Sequence, residues 1–454
     1  VTTALTLDVN YNFGTGDIES SDSGKVGLAI TTAGTYNDKN VADSKNVSFK
    51  NLTLTGSEAG NYNLKTKDLS AAVGRITQKD LSAALIGTNS FSKEYDGTDA
   101  VTTALTMGTN YQFTGMVDKD DLKLTGTGEY NDKKVGSDKT VVFTKLGLTG
   151  DDAGNYNLES DVLSSEVGQI TAKKLTITLA GNNTFTKEYD GTTDVTQALA
   201  GNYTISGIVG TENVDLNSAG VGGTYADKNA ADGKLVEFTV NSLTGADRDN
   251  YSLKSTTLSG KVGQITPKAL TATLTGDNVF TKVYDGTTTV SQALGTNYAL
   301  DGIMADSDKV LLSAGSGAYN DKNAGDNKTI TFSGLTLTGT GAGNYTIAST
   351  LSGAVGQITR RTITGTLASG YSFDKVYDGT TTASLGNGYT LNGVIAGDKV
   401  PLTAAKGFYD SSAIGDRTVT FSGFSINDGN YLLSMADSLS GTGKITSGSQ
   451  DHNY

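Results

Sequence analysis

At 454 residues the chain is too long for one hydrophobic core and suits several small ones. It has no cysteine, which removes disulfides and thiolate metal sites together. Its net charge of −13 argues against nucleic acid and anionic lipid as partners and reads as a device that keeps a long chain soluble.

No apolar run approaches the ~20 residues needed to span a membrane, and nothing is shaped like a signal peptide. The organising stretch is Lys-x-Tyr-Asp-Gly-Thr, at Lys93–Thr98, Lys187–Thr192, Lys282–Thr287 and Lys375–Thr380. Its tyrosines, Tyr95, Tyr189, Tyr284 and Tyr377, are 94, 95 and 93 residues apart, the size of one small β-domain. A tandem array follows, with repeats at 1–77, 78–171, 172–266, 267–359 and 360–446 and a tail at 447–454.

The first repeat begins late. Val1–Leu5 (VTTAL) matches Val101–Leu105, after the point where a Tyr-Asp-Gly strand would stand. The repeat therefore lacks its opening strands, and apolar partners should be left uncovered. A cut in the chain is the preferred explanation, and a strand supplied by another chain is the alternative. The offset between the first two repeats is 100 residues at the start but 94 at Tyr36/Tyr130. The six extra residues are most simply placed in the Gly16–Gly27 loop.

Each full repeat opens on an alternating strand such as Leu175–Leu179 or Leu270–Leu274. A second run, Phe185–Tyr189, ends in Asp190-Gly191. Asp-Gly is a turn signal because glycine accepts φ > 0. The same reading holds for Asp96-Gly97, Asp285-Gly286 and Asp378-Gly379, with each preceding tyrosine half-buried at the end of its domain. A strand near Tyr203–Ile208, an acidic loop and a Tyr-Asn-Asp-Lys signature at Tyr130, with counterparts at Tyr36, Tyr225 and Tyr319, come next. The fifth repeat departs with Tyr409-Asp410-Ser411-Ser412. In the following strand the apolar parity shifts between Phe143 and Leu146 and between Phe421 and Phe424, which predicts a bulge or bend.

The last signature is Asn-Tyr at Tyr62, Tyr156, Tyr251, Tyr345 and Tyr431. Its spacing is similar to the tyrosine corner of immunoglobulin-like sandwiches, in which the hydroxyl bonds upstream backbone. A closing strand, Val-Gly-Gln-Ile-Thr, leads into the next repeat with almost no linker, so neighbours should be restrained end to end.

Catalytic chemistry has little to stand on. His452 is the only histidine, two residues from the C-terminus, and a nucleophilic triad would need that tail to fold back into a site. The aspartates recur repeat after repeat, whereas an enzyme builds one cleft. The acidic loops offer weak candidate calcium ligands, Asp118, Asp120, Asp121, Asp306 and Asp308, without the ordered spacing of a calcium loop. Solvated surface is the preferred reading, and calcium is the one cofactor carried as an alternative.

Together the signatures resemble the YDG-type and related MBG-type immunoglobulin-like repeats of large bacterial surface adhesins, filamentous-haemagglutinin-like exoproteins among them. The resemblance implies an all-β tandem array of five immunoglobulin-like β-sandwich repeats forming an elongated rod, secreted or on the bacterial cell surface, with no catalytic residues. It implies a structural stalk that projects a binding region. The partners expected are neighbouring repeats of a longer chain and host or matrix molecules met through regions outside this fragment. Two other readings stay open: a filament subunit assembled by strand complementation, and a modular ligand-binding adhesin.

Overall fold

The computed structural model describes Val1 and residues 3–448. The described chain is built almost wholly from short strands, with three-residue 3₁₀ turns as its only helical elements. His452 and the end of the tail lie outside the described residues. The chain divides into two compact units. One holds Val1–Ile177, Thr204–Asn217 and Val240–Thr256, and the other holds Thr178–Tyr203, Ser218–Thr239 and the chain from Thr257 onward.

The second repeat, wholly in the first unit, shows how the sequence builds the module. Its strands are β1 (Lys79–Leu85), β2 (Phe91–Glu94), β3 (Tyr111–Thr114), β4 (Lys123–Tyr130), β5 (Gly136–Thr149), β6 (Tyr156–Leu158) and β7 (Leu163–Thr171). They form two sheets, ordered β6-β1-β3 and β2-β7-β5-β4. β1 runs parallel to β6 (Tyr156↔Lys79, Leu158↔Leu81) and antiparallel to β3 (Leu85↔Tyr111). β2 runs parallel to β7, with Gly168 opposite Phe91. Alternation places Leu81 and Leu85 of β1, and Val141 and Phe143 of β5, on buried faces. Leu85 and Tyr111 of one sheet and Phe91, Val141, Phe143 and Ile170 of the other contribute to a single core.

The glycine of Val-Gly-Gln-Ile has a packing reason. A Cβ on Gly168 would lie 2.7 Å from Val141 Cγ2 and 2.8 Å from the Tyr130 ring. β7 can cross the Tyr130 ring only without a side chain there, and Gly263 and Gly356 face the same crowding from Tyr225 and Tyr319.

The expected bulge is present in the second repeat. In the second repeat the β4–β5 register shifts between Thr144 and Gly147. In the fifth the register is unbroken, with Ala404 opposite Phe424 and Lys406 opposite Ser422, so the expected bulge is absent there and only the pair Ala405 and Gly423 (φ 73°) drops out of the ladder. In the first and fourth repeats the strand stops at Phe49 or Ser333 and resumes at Thr53 or Thr336 in a different sheet.

In the second unit, the fourth and fifth repeats follow the same script. The second strands Phe280–Val283 and Lys375–Val376 run parallel to the closing strands Thr350–Thr359 and Ser438–Thr446. One residue separates a closing strand from the next opening one at Ala172, Pro267 and Arg360.

Among the described residues the first repeat has no counterparts of β1 and β2. The consequences are visible at Val73, which is 70% exposed where its counterpart Val167 is 6% exposed. The extra residues of this repeat are not all where the sequence placed them. The hydroxyls of Tyr11 and Tyr111 play a matching role, accepting from the N–H of Leu28 and Leu124 respectively. The offset of 100 at the tyrosines is thus 96 at the leucines and 94 at Tyr36/Tyr130. Four residues are inserted before Leu28 and the other two between Leu28 and Tyr36, because the strand Gly27–Ala29 interrupts the loop.

Candidate functional site

The Lys-x-Tyr-Asp-Gly-Thr segment closes on itself. Lys93 Nζ donates to Asp96 Oδ1 (2.8 Å) and to the carbonyl and hydroxyl oxygens of Thr98 (2.9 and 3.0 Å). Thr98 returns its N–H and O–H to the same Asp96 Oδ1. Gly97 makes the turn at φ 83°. The arrangement recurs with Lys187, Asp190 and Thr192, with Lys282, Asp285 and Thr287, and with Lys375, Asp378 and Thr380. The lysine ammonium also lies 5.6 Å above the Tyr130 ring in the second repeat and 5.2 Å above Tyr409 in the fifth. Each residue type of the hexapeptide except its tyrosine is explained inside one repeat.

The tyrosine is explained by the next repeat. Tyr95, Tyr189 and Tyr284 are each 1% exposed, not half-buried as the sequence suggested. What covers them is the acidic loop and the Asn-Tyr tyrosine of the following repeat. In the first unit, Tyr95 and Tyr251 donate to the two oxygens of Glu212, each at 2.5 Å, and their rings meet edge to face at 5.5 Å. In the second unit, Tyr189 and Tyr345 donate to Asp308 Oδ2 at 2.7 and 2.8 Å. Tyr284 and Tyr431 donate to Asp398 Oδ2 at 2.8 and 2.6 Å.

The Asn-Tyr hydroxyl also accepts an upstream backbone N–H: from Val209 to Tyr251, Met304 to Tyr345 and Ile395 to Tyr431, at 2.9–3.0 Å. That is the tyrosine-corner habit expected from spacing, with a carboxylate added. A short 3₁₀ turn, such as Ala342–Asn344, delivers this tyrosine, and its asparagine reaches across. Asn250, Asn344 and Asn430 accept from the N–H of Val135, Ala230 and Ala324 in the preceding repeat.

A lysine completes each junction. The last residue of Tyr-Asn-Asp-Lys or its counterpart places Lys133 3.6 Å from Glu212, Lys228 3.3 Å from Asp308 and Lys322 3.7 Å from Asp398. Between the first and second repeats, Lys39 meets Asp120 at 2.5 Å and Asp152 at 2.6 Å, and Tyr156 donates to Asp120 at 2.6 Å. The fifth repeat has Ser412 at the lysine position. There Tyr377 is 51% exposed, and a Cβ on Gly379 would meet nothing within 4 Å. On Gly97 it would lie 2.7 Å from Val209 Cγ1 of the next repeat.

The electrostatics suit charged carboxylates between neutral phenols. Burial pushes the Glu212 and Asp308 carboxyls up, but the tyrosine hydroxyls and the lysine outweigh it and both lie below their usual range. The hydroxyls of Tyr431 and Tyr284 hold Asp398 down in the same way. Burial, then the Glu212 carboxylate, pushes Tyr251 up to about 12, and Tyr95 and Tyr284 are also raised.

Of the calcium candidates, Asp120 and Asp308 are taken up by tyrosine and lysine at the junctions. Asp308 is therefore buried, not the solvated loop residue the sequence suggested. Asp121 accepts weakly from the Asp151 N–H, and Asp118 and Asp306 are exposed. Among the described residues no three acidic or histidine groups converge as a metal site would require. In the first repeat Tyr62 donates to Asp22, inside the inserted loop. Sequence reasoning did not single out Glu212, Asp398 or the junction lysines. The signal available was the common step of Lys39, Lys133, Lys228 and Lys322, broken at Ser412.

An all-β chain whose repeats share one turn and one inter-repeat junction is a tandem-repeat protein. Residues 2–70, 77–163, 171–258, 266–352 and 359–438 match the YDG domain, and the chain belongs to that family. A search of curated proteins finds no match. No helix among the described residues is long and apolar enough to cross a membrane.

Proposed function

We propose that the chain is a structural spacer of a secreted or cell-surface bacterial adhesin, holding a binding region away from the cell. The observation that carries this reading is the repeated junction. The same tyrosine pair, carboxylate, asparagine and lysine tie one repeat to the next, with linkers of a single residue. The recurring tyrosines, asparagines and lysines of these junctions are thereby spent on joining repeats. Repetition of a joint favours a mechanical role over catalysis, and the reading assigns no catalytic residue and no cofactor.

The test against a ligand-gripping adhesin is a binding panel of glycans and extracellular-matrix proteins, applied to the purified chain. The spacer reading predicts no saturable binding. A saturable interaction lost on substitution of exposed strand residues would overturn it.

A further inference from the structure

The second repeat is joined to its neighbours at opposite ends. Asp120, Asp152 and Asn155 meet the first repeat, while Tyr95, Lys133 and Val135 meet the third. The strand β5, 14 residues long, runs from the second group to the first. Leu81, Leu122 and Tyr156 form a buried cluster of their own at the first end, apart from the core that takes in Tyr95 and Tyr251 at the second. The chain enters at Lys79, beside Tyr156, and leaves at Thr171, whose carbonyl accepts the Tyr95 N–H at 2.9 Å. Tension between neighbours therefore draws β1 and β2 towards one end and β7 towards the other. β2 and β7 are parallel, paired at Phe91↔Gly168, Ser92↔Gln169, Lys93↔Ile170 and Glu94↔Thr171. Load along such a pair strains all its hydrogen bonds together, whereas load across it opens them one after another.

We propose that the repeats carry tensile load, with the β2–β7 pair and its counterparts as shear clamps that resist unfolding. The inference deepens the spacer reading and rests on it for the source of the load. Side chains pin β2 in place. The Tyr130 hydroxyl donates to the Phe91 carbonyl at 3.0 Å, and the Thr171 hydroxyl to the Lys93 carbonyl at 3.2 Å. The Lys-x-Tyr-Asp-Gly-Thr turn gains a mechanical task. Lys93 fastens the end of β2 to Asp96 and Thr98, and the next residues are anchored on β4 by Tyr130 N–H to Asp99 and Val101 N–H to Gly128. Slipping β2 along β7 would break that lock. The fourth repeat has the same four pairs, from Phe280↔Gly356 to Val283↔Thr359. The fifth keeps two, Lys375↔Ile445 and Val376↔Thr446, with a separate bridge at Ser372↔Thr442, and between them the Asp374 carboxylate takes the Lys444 N–H.

The test is single-molecule force spectroscopy on the full chain. The chain has no cysteine, so a pair of introduced cysteines takes pulling handles only where they are placed. Handles at Thr77→Cys and Ala172→Cys load β2 and β7 lengthwise. Handles at Thr88→Cys and Glu166→Cys, beside the Phe91↔Gly168 pair, peel the same ladder from one end. A third pair, Arg360→Cys and Ser447→Cys, loads the fifth repeat lengthwise. All six positions are exposed or partly exposed, so the handles leave the cores intact. At one pulling rate, the second repeat should rupture lengthwise at about twofold or more the force that peels it. The fifth repeat, with half the ladder, should rupture lengthwise at a lower force than the second. Equal forces in the two directions, or a fifth repeat as strong as the second, overturn the proposal. Neither result touches the spacer reading, which stands or falls on the binding panel.

Discussion

Tyr284 and Tyr431 come from successive repeats and donate to the same oxygen of Asp398 while their rings meet edge to face at 5.3 Å. One carboxylate thus orders two aromatic side chains whose hydroxyl protons would otherwise each lack an acceptor. The same arrangement around Glu212 and Asp308 makes the junction a repeated part.

Removing the carboxylate should loosen a junction without unfolding the repeats. Asp398→Ala leaves two buried hydroxyls without an acceptor, at a cost of about 1–3 kcal/mol. Hydrogen exchange should speed at Ala324 and Ile395, whose amides are held at this junction. Amides of the closing strand Ser438–Thr446 should keep their protection.

The same motif residue should matter in one repeat and not in another. Tyr284→Phe removes only the hydroxyl and should cost about 1 kcal/mol, while Tyr284→Ala should cost about 3–5 kcal/mol by emptying a packed position. Tyr377→Ala, at a residue 51% exposed, should change stability by no more than about 0.5 kcal/mol. Urea unfolding of the three variants gives the comparison.

Acid and base should both weaken the junctions. The carboxyls of Glu212, Asp308 and Asp398 lie below their usual values when folded, so their contribution is present above the ordinary 3.8–4.5 and fades as pH falls below it. Tyr95, Tyr251 and Tyr284 are raised from 10.0, so their contribution is complete below pH 10 and is lost as pH rises through the folded values. Thermal melts should show a plateau between about pH 5 and 9.5.

Gly168→Ala should destabilise the second repeat by about 1–3 kcal/mol, since its Cβ would crowd Val141, Tyr130 and the Lys139 carbonyl. Gly154→Ala, with open space around it, should change stability by about 0.5 kcal/mol at most. Thermal denaturation distinguishes the two.

Much of the fold was legible in the sequence. The Asp-Gly turns, the alternating strands and the bulge beyond Phe143 follow from local chemistry, and the structure has them, whereas the one expected beyond Phe421 is absent from an unbroken register. The parallel pairing of β1 with β6 and β2 with β7 was not legible, because alternation names a buried face and not a partner. Nor was the burial of Tyr95, Tyr189 and Tyr284, since the atoms that cover each one lie more than 100 residues downstream in sequence. Tyr377 shows the point: it has the same local sequence and a different environment. The inserted residues of the first repeat were misplaced because a three-residue strand inside a polar loop leaves almost no pattern.

Small-angle X-ray scattering of the purified chain tests most directly the proposal that the junctions make the array a spacer. Five repeats at about 35–45 Å each, from strands rising ~3.3 Å per residue, predict a maximum dimension of the order of 200 Å. The value should hold at monomer mass, with calcium and with chelator alike. A much smaller dimension, or one that collapses on chelation, would contradict a spacer held by its tyrosine–carboxylate junctions.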